Sequence, residues 1–142
     1  MTFSAYINFN GNCREAVTFY AKVFGKEVPH FSTYEEMPAD PNFPLTEELK
    51  KIVMYSEMEI GGTNLMFCDL PSEYEWILGN TITLVFGSPD ADEIRSVFKG
   101  LSEGGVISLD LQETFYAALY GMVVDKFGIT WQIIWEDGIK WK

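Results

Sequence analysis

The chain has 142 residues, 47% hydrophobic and 15% aromatic, enough apolar material for one domain with a real core and too much for a disordered polymer. Its formal net charge of −11 excludes the clustered basic surface that nucleic acid requires, and it disfavours anionic membranes and strongly anionic ligands. The two cysteines, Cys13 and Cys68, stand far apart outside any CxxC pattern, and no apolar run approaches the roughly 20 residues of a membrane span. A cytoplasmic protein with reduced thiols and no leader segment is expected, since a strand begins near Phe3.

Phe3 to Phe9 reads as the first strand. Asn12 and Glu15 form a capping-box-like pair before a helix whose apolar residues, Cys13, Ala16, Val17, Tyr20, Val23 and Phe24, recur at helical spacing until Gly25. Glu27 to Tyr34 is a second strand interrupted by Pro29, which implies an edge or a bulge. Pro38, Pro41 and Pro44 make Glu35 to Leu49 a long surface excursion, with Thr46 capping a short turn through Lys51. Ile52 to Ile60 alternates Ile52, Met54, Met58 and Ile60 with Val53, Tyr55, Glu57 and Glu59. Gly61-Gly62 turns the chain into a fourth strand, Thr63 to Cys68, and Asp69, Glu73 and Glu75 read as a solvated linker to Gly79.

Thr81 to Phe86 is the fifth strand, and Ser88-Pro89-Asp90 opens a helix striped by Ile94, Val97, Phe98 and Leu101. Val106 to Gln112 is the sixth strand. The chain closes on a hairpin of Leu119 to Val124, the turn Asp125-Lys126-Phe127-Gly128, and Ile129 to Glu136. That last strand has one wholly apolar face (Ile129, Trp131, Ile133, Trp135) and one mixed face (Thr130, Gln132, Ile134, Glu136). The order is strand, helix, three strands, twice over. The expected fold class is α+β, with residues 1–69 and 80–142 as two modules, 70–79 as their linker, and the whole as one domain.

Three stretches carry a family resemblance: Tyr6 to Ala16 with Phe19-Tyr20 and Phe24-Gly25; Tyr55-Ser56-Glu57 before Gly61 and Leu65-Met66; and Tyr120-Gly121 before Asp125 to Gly128 and Trp131. Together they resemble the PhnB-like branch of the vicinal oxygen chelate superfamily, which includes glyoxalase I and bleomycin- and fosfomycin-resistance proteins. The resemblance implies paired βαβββ modules, curved mixed sheets around a cleft with helices outside, and a homodimer. Members of this branch have also been labelled 3-demethylubiquinone methyltransferases, yet no glycine-rich turn for S-adenosylmethionine lies between a strand and a helix here.

The metalloenzymes of the superfamily hold a divalent ion with His and Glu. By resemblance those positions fall near Ala5, Thr81 and Gln132, with Ile7 and Thr83 offered by a register shift of two residues. No metal site and no other cofactor is expected from this set, and His30 is not expected to ligate. The candidate catalytic residues are Glu57, which burial would raise into the range of a general base, and Tyr55 as its hydrogen-bonding partner. The candidate ligand-binding residues are Thr81, Thr83, Phe115, Tyr116 and Gln132. The leading expectation is a protein that binds a small, largely apolar molecule in the inter-module cleft. The alternatives are a lyase- or dioxygenase-type enzyme, metal-dependent or using Glu57, and a non-catalytic interaction module.

Overall fold

A computed structural model describes residues 1–140, and the chain divides into two compact units, Met1–Ile77 and Leu78–Lys142. Each is an α+β unit built on one four-stranded mixed sheet.

The first unit contains β1 (Tyr6–Phe9), α1 (Cys13–Val23), β2 (Ser32–Thr33), α2 (Glu47–Lys51), β3 (Val53–Ile60) and β4 (Thr63–Asp69), with sheet order β1-β4-β3-β2. Strand β1 runs parallel to β4, and the other pairs are antiparallel. The apolar stripe of α1 buries Cys13, Ala16, Val17, Tyr20 and Ala21. Tyr20 stacks on Phe67 with ring centroids 6.2 Å apart, and Phe9 stacks on the same ring at 6.4 Å. Helix α1 ends as its sequence demands: Gly25 takes φ +66° and the Lys26 N–H reaches back to the Ala21 carbonyl at 2.8 Å.

Three local expectations need correction. The second strand shrinks from Glu27–Tyr34 to two residues, because Pro29 has no N–H to offer a ladder and the His30 carbonyl is taken by the Ser56 hydroxyl at 2.9 Å. Asn12 makes no side-chain cap on α1. The capping carboxylate comes instead from Asp69, which is 1% exposed and not solvated: its Oδ1 accepts the Gly11 and Cys13 N–H groups, and its Oδ2 the Val53 N–H, each at 2.9 Å.

The second unit contains β5 (Leu84–Ser88), α3 (Ala91–Ser102), β6 (Val106–Gln112), β7 (Tyr120–Val124) and β8 (Thr130–Trp135), with sheet order β5-β8-β7-β6. Strand β5 is parallel to β8, while β7 is antiparallel to both β8 and β6. The strand expected over Thr81–Phe86 is displaced toward Ser88, so Thr81 and Thr83 precede it. Asp90 caps α3 by accepting the Asp92 and Glu93 N–H groups, and its own N–H donates to Ser88, whose hydroxyl donates to Glu93 at 2.8 Å. Ile94, Val97, Phe98 and Leu101 meet a sheet face that contributes Phe86, Val123, Trp131 and Ile133, all buried. Gly121 is required here: a Cβ would lie 2.7 Å from the Phe98 ring.

The turn between β7 and β8 closes with the Gly128 N–H on the Asp125 carbonyl at 2.9 Å, and Gly128 takes φ +88°. The Asp125 carboxylate then accepts the N–H groups of Phe127 and Ile129, and its other oxygen the indole N–H of Trp131 at 2.9 Å. A buried acid so placed orders the turn and orients the core tryptophan together.

Candidate functional site

The period of two along β8 sends Trp131 and Ile133 into the core and Gln132 to the opposite sheet face. Across the antiparallel pair, Gln132 faces Met122, and Tyr120 faces Ile134. The Tyr120 hydroxyl donates to Gln132 Oε1 at 2.7 Å, and Gln132 Nε2 donates to Thr83 Oγ1 at 2.9 Å. Burial is the largest cause of the Tyr120 pKa being raised, and the neighbouring Tyr116 phenol adds to it, so Tyr120 stays a neutral donor. The Tyr116 ring meets Tyr120 edge-on at 5.3 Å, and Phe115 meets Tyr116 edge-on at 5.0 Å.

Of the five ligand-binding candidates, three are joined by this chain of contacts: Thr83, Gln132 and Tyr116. Phe115 hangs at its outer end, 90% exposed, and Thr81 stands apart as an exposed residue ahead of β5. Tyr120, the residue that connects them, is absent from the sequence-derived set. The alternation Tyr120, Met122, Val124 could have exposed it, because the antiparallel register puts those residues on the face of Gln132.

Beside Thr83 the same face opens into a concavity of about 610 Å³, whose lining includes Asn80, Thr83, Ser108, Met122, Val124 and Thr130. Among the described residues that line it none is ionisable. Hydroxyls and one amide supply its polarity, and Met122 and Val124 its apolar surface.

The catalytic candidates lie in the first unit. Glu57 is exposed, and Tyr55 donates to its Oε2 at 2.5 Å while the Asn64 amide donates to the same oxygen at 3.0 Å. Those two hydrogen bonds, Tyr55 first, lower the Glu57 pKa below the ordinary carboxylate value. This corrects the condition set for a general base: the side chain is solvated and stabilised in its charged form, so its basicity falls rather than rises. Tyr55 shifts upward because its hydroxyl is bonded to that carboxylate. Tyr6 lies 6.1 Å from Tyr55 between ring centroids, and burial is the largest cause of its pKa being pushed up to about 12.

The first-strand positions that the resemblance offers, Ala5 and Ile7, carry no metal-ligating side chain. Ile7 pairs with Phe67, which is fully buried under α1, whereas Tyr6 and Asn8 project to the other side of β1. That other side of β1 offers a phenol and an amide. The Asn8 amide oxygen accepts the Cys68 thiol at 3.1 Å, and the Gln132 amide is held at both ends. Neutral amides and hydroxyls already bonded to protein groups do not suit a divalent catalytic ion, and no metal-dependent step is assigned to them. Among the described residues no three His, Cys, Asp or Glu side chains gather. His30 is exposed and meets Glu36 at 3.3 Å. No helix among the described residues is long and apolar enough to cross a membrane.

Comparison with known proteins agrees with this architecture. The family described as 3-demethylubiquinone-9 3-methyltransferase matches residues 2–134. Protein YjdN of Escherichia coli is 32% identical over 140 residues, 94% of each chain. The crystal structure of PA1353 from Pseudomonas aeruginosa superposes with a TM-score of 0.84 at 27% identity, covering 96% of this chain and 98% of that one. A Bacillus cereus PhnB protein described as a putative 3-demethylubiquinone-9 3-methyltransferase shares the fold, with a TM-score of 0.75 at 23% identity over 95% of this chain and 99% of its own. A glyoxalase-related enzyme from Fulvimarina pelagi shares it at a TM-score of 0.60 and 15% identity, covering 96% of this chain and 90% of that one. The chain belongs to the 3-demethylubiquinone-9 3-methyltransferase family, the PhnB-like proteins of the vicinal oxygen chelate superfamily, and has that superfamily's two-module fold.

Proposed function

We propose that this protein binds an uncharged, largely apolar small molecule on the sheet face of its second unit, with the Gln132 amide and the Thr83 hydroxyl as the polar anchors. The carrying observation is the fixed amide: Gln132 is held by Tyr120 on one side and by Thr83 on the other, and Thr83 lines a concavity with no ionisable group. Thr83 accepts from Gln132, so its own proton is available to a ligand oxygen. A charged ligand would be stripped of water there without a counter-charge, whereas a neutral one gains from Met122 and Val124. Binding rather than turnover is the reading these residues support, because the polar groups are neutral and locked to one another. Homodimerisation belongs with the same reading: β5 is an edge of its sheet and Val85 on it is 64% exposed, apolar edge surface that association would cover.

The test is a titration with 1-naphthol and, in parallel, with 1-naphthoate. The alcohol is expected to bind and the carboxylate to bind at least about 10-fold more weakly, with Gln132→Ala and Thr83→Val each weakening the alcohol by about 5-fold or more, as for the loss of one hydrogen bond. Equal binding of both probes, or indifference to both substitutions, would remove the assignment.

A further inference from the structure

The first unit holds a second concavity, of about 410 Å³, that the reading above does not use. It is assembled from three separated stretches: Asn10-Gly11 ahead of α1, the proline-bearing excursion running into α2, and Leu70 to Glu73 after β4. These walls are fastened to one another. Asp69 binds the backbone of Gly11, Cys13 and Val53 at once. The Ser72 hydroxyl donates to Glu48 at 3.3 Å, tying the third stretch to α2, and the Thr46 hydroxyl caps α2 on the Leu49 N–H at 3.2 Å. Phe43 is presented by a tight turn in which Asp40 accepts the Asn42 and Phe43 N–H groups, and its ring stacks on Tyr34 at 5.9 Å. The excursion thus has an ordered inner surface although residues 35–48 are exposed.

The lining sorts into two kinds of chemistry. Phe43, Leu49, Ile52 and Leu70 give it an apolar floor, and Glu48 and Glu73 stand in its wall. Among the described residues lining it none carries a positive charge, in a chain of net charge −11. The nearby N-terminus of α1, where an anion would otherwise dock, is already taken by the Asp69 carboxylate on the Cys13 N–H. The volume lies within the roughly 300–1,000 Å³ of small-molecule sites. An occupant must therefore be compact and apolar over most of its surface, and positive at one end.

We propose that this concavity is a binding site for a small organic cation, an ammonium group on an apolar body, with Glu48 and Glu73 as its counter-charges and the Phe43 ring against its body. The site is separate from the sheet face of the second unit, and its ligand is of opposite character: charged where the other is neutral.

The experiment titrates the full-length protein with benzylammonium and with benzyl alcohol, a neutral probe of nearly the same shape, following the Phe43 ring resonances by NMR. Benzylammonium is expected to shift them and to bind more weakly as salt is raised, since exposed ion pairs are screened. The double change Glu48→Gln and Glu73→Gln should weaken it by about 5-fold or more, the upper range for exposed ion pairs. Glu103→Gln, an acid of the second unit, should leave it unchanged. Equal affinity for the alcohol, an unmoved Phe43, or the same loss from Glu103→Gln as from the double change would each overturn the proposal. So would a drop in sedimenting mass on the double change, which would mean that a second copy of the chain covers this surface. Both acids are exposed, and amides keep their shape, so thermal unfolding of the variants should match the parent; Leu49→Trp, which fills the space without touching a charge, should also abolish the response.

Discussion

The two units repeat one strand order and one sheet logic, the first strand parallel to the last and a helix over one face, yet each fixes its backbone with a buried carboxylate used differently. In the first unit Asp69 gathers N–H groups 58, 56 and 16 residues away in sequence, joining the entry to α1 with the start of β3. In the second, Asp125 serves partners only 2, 4 and 6 residues downstream, all inside one hairpin. A long-range carboxylate welds separate segments; a local one shapes a turn. The difference shows in the surfaces that result. The first unit acquires a walled concavity with acids at its edge, and the second a regular hairpin whose outer face carries a neutral hydrogen-bonded row.

The sharpest way to break this comparison is to remove its supports. Asp69→Ala takes the acceptor from the Gly11, Cys13 and Val53 N–H groups, the last two buried, and should destabilise the chain by about 3–5 kcal/mol, the scale of breaking a buried charged network. Trp131→Ala removes a buried indole and its hydrogen bond to Asp125, and should cost a similar amount, about 3–5 kcal/mol. Chemical denaturation compares them directly. If Asp69→Ala cost no more than an ordinary surface change, the first unit would not be held by that carboxylate and the comparison would fail.

The same contrast explains what could be read from the chain. Asp125 and Gly128 signal their turn within four residues, and Trp131 declares its side by alternation, so the closing hairpin was legible. Asp69 looks like a linker acid because nothing near it in sequence shows that Gly11, Cys13 and Val53 need an acceptor. Pro29 announced a broken strand but not how little of it would survive. The candidate site divides in the same way: Gln132 follows from the period of β8, while its partners Tyr120 and Thr83 depend on strand register and on a fifth strand that starts later than composition suggests. Alternation puts Glu57 beside Tyr55 on one sheet face, and only the diagonal hydrogen bond from Asn64 on β4 adds why it is held in its charged form there.

An intermediate effect is expected from Tyr120→Phe. The ring stays buried on its sheet face while Gln132 Oε1 loses its donor, which should cost about 1 kcal/mol by thermal unfolding. Released from that hold, the amide can turn away from Thr83, so 1-naphthol binding should weaken more than stability does. Equal losses in the two measurements would make the tyrosine a packing residue only.

The smallest effect belongs to Glu57. Its carboxyl pKa lies below the ordinary value because Tyr55 and Asn64 donate to the charged form, while the side chain remains in solvent. A group depressed in the folded state adds stability above its unfolded pKa, and that contribution fades as pH falls through the folded value. Glu57→Gln should therefore lower the melting temperature slightly at about pH 7, and the gap between variant and parent should close in acid below about pH 4. Full exposure keeps the gap small, because water screens the bonds that produce it. Carboxyl-carbon NMR titration reads the same quantity without unfolding, and should find Glu57 ionising at lower pH than an ordinary exposed glutamate. If it instead titrates above that value, or if Glu57→Gln unfolds the protein as readily as Trp131→Ala, then Glu57 is a buried acid after all. The general-base role that its exposure now disfavours would then return to the first unit.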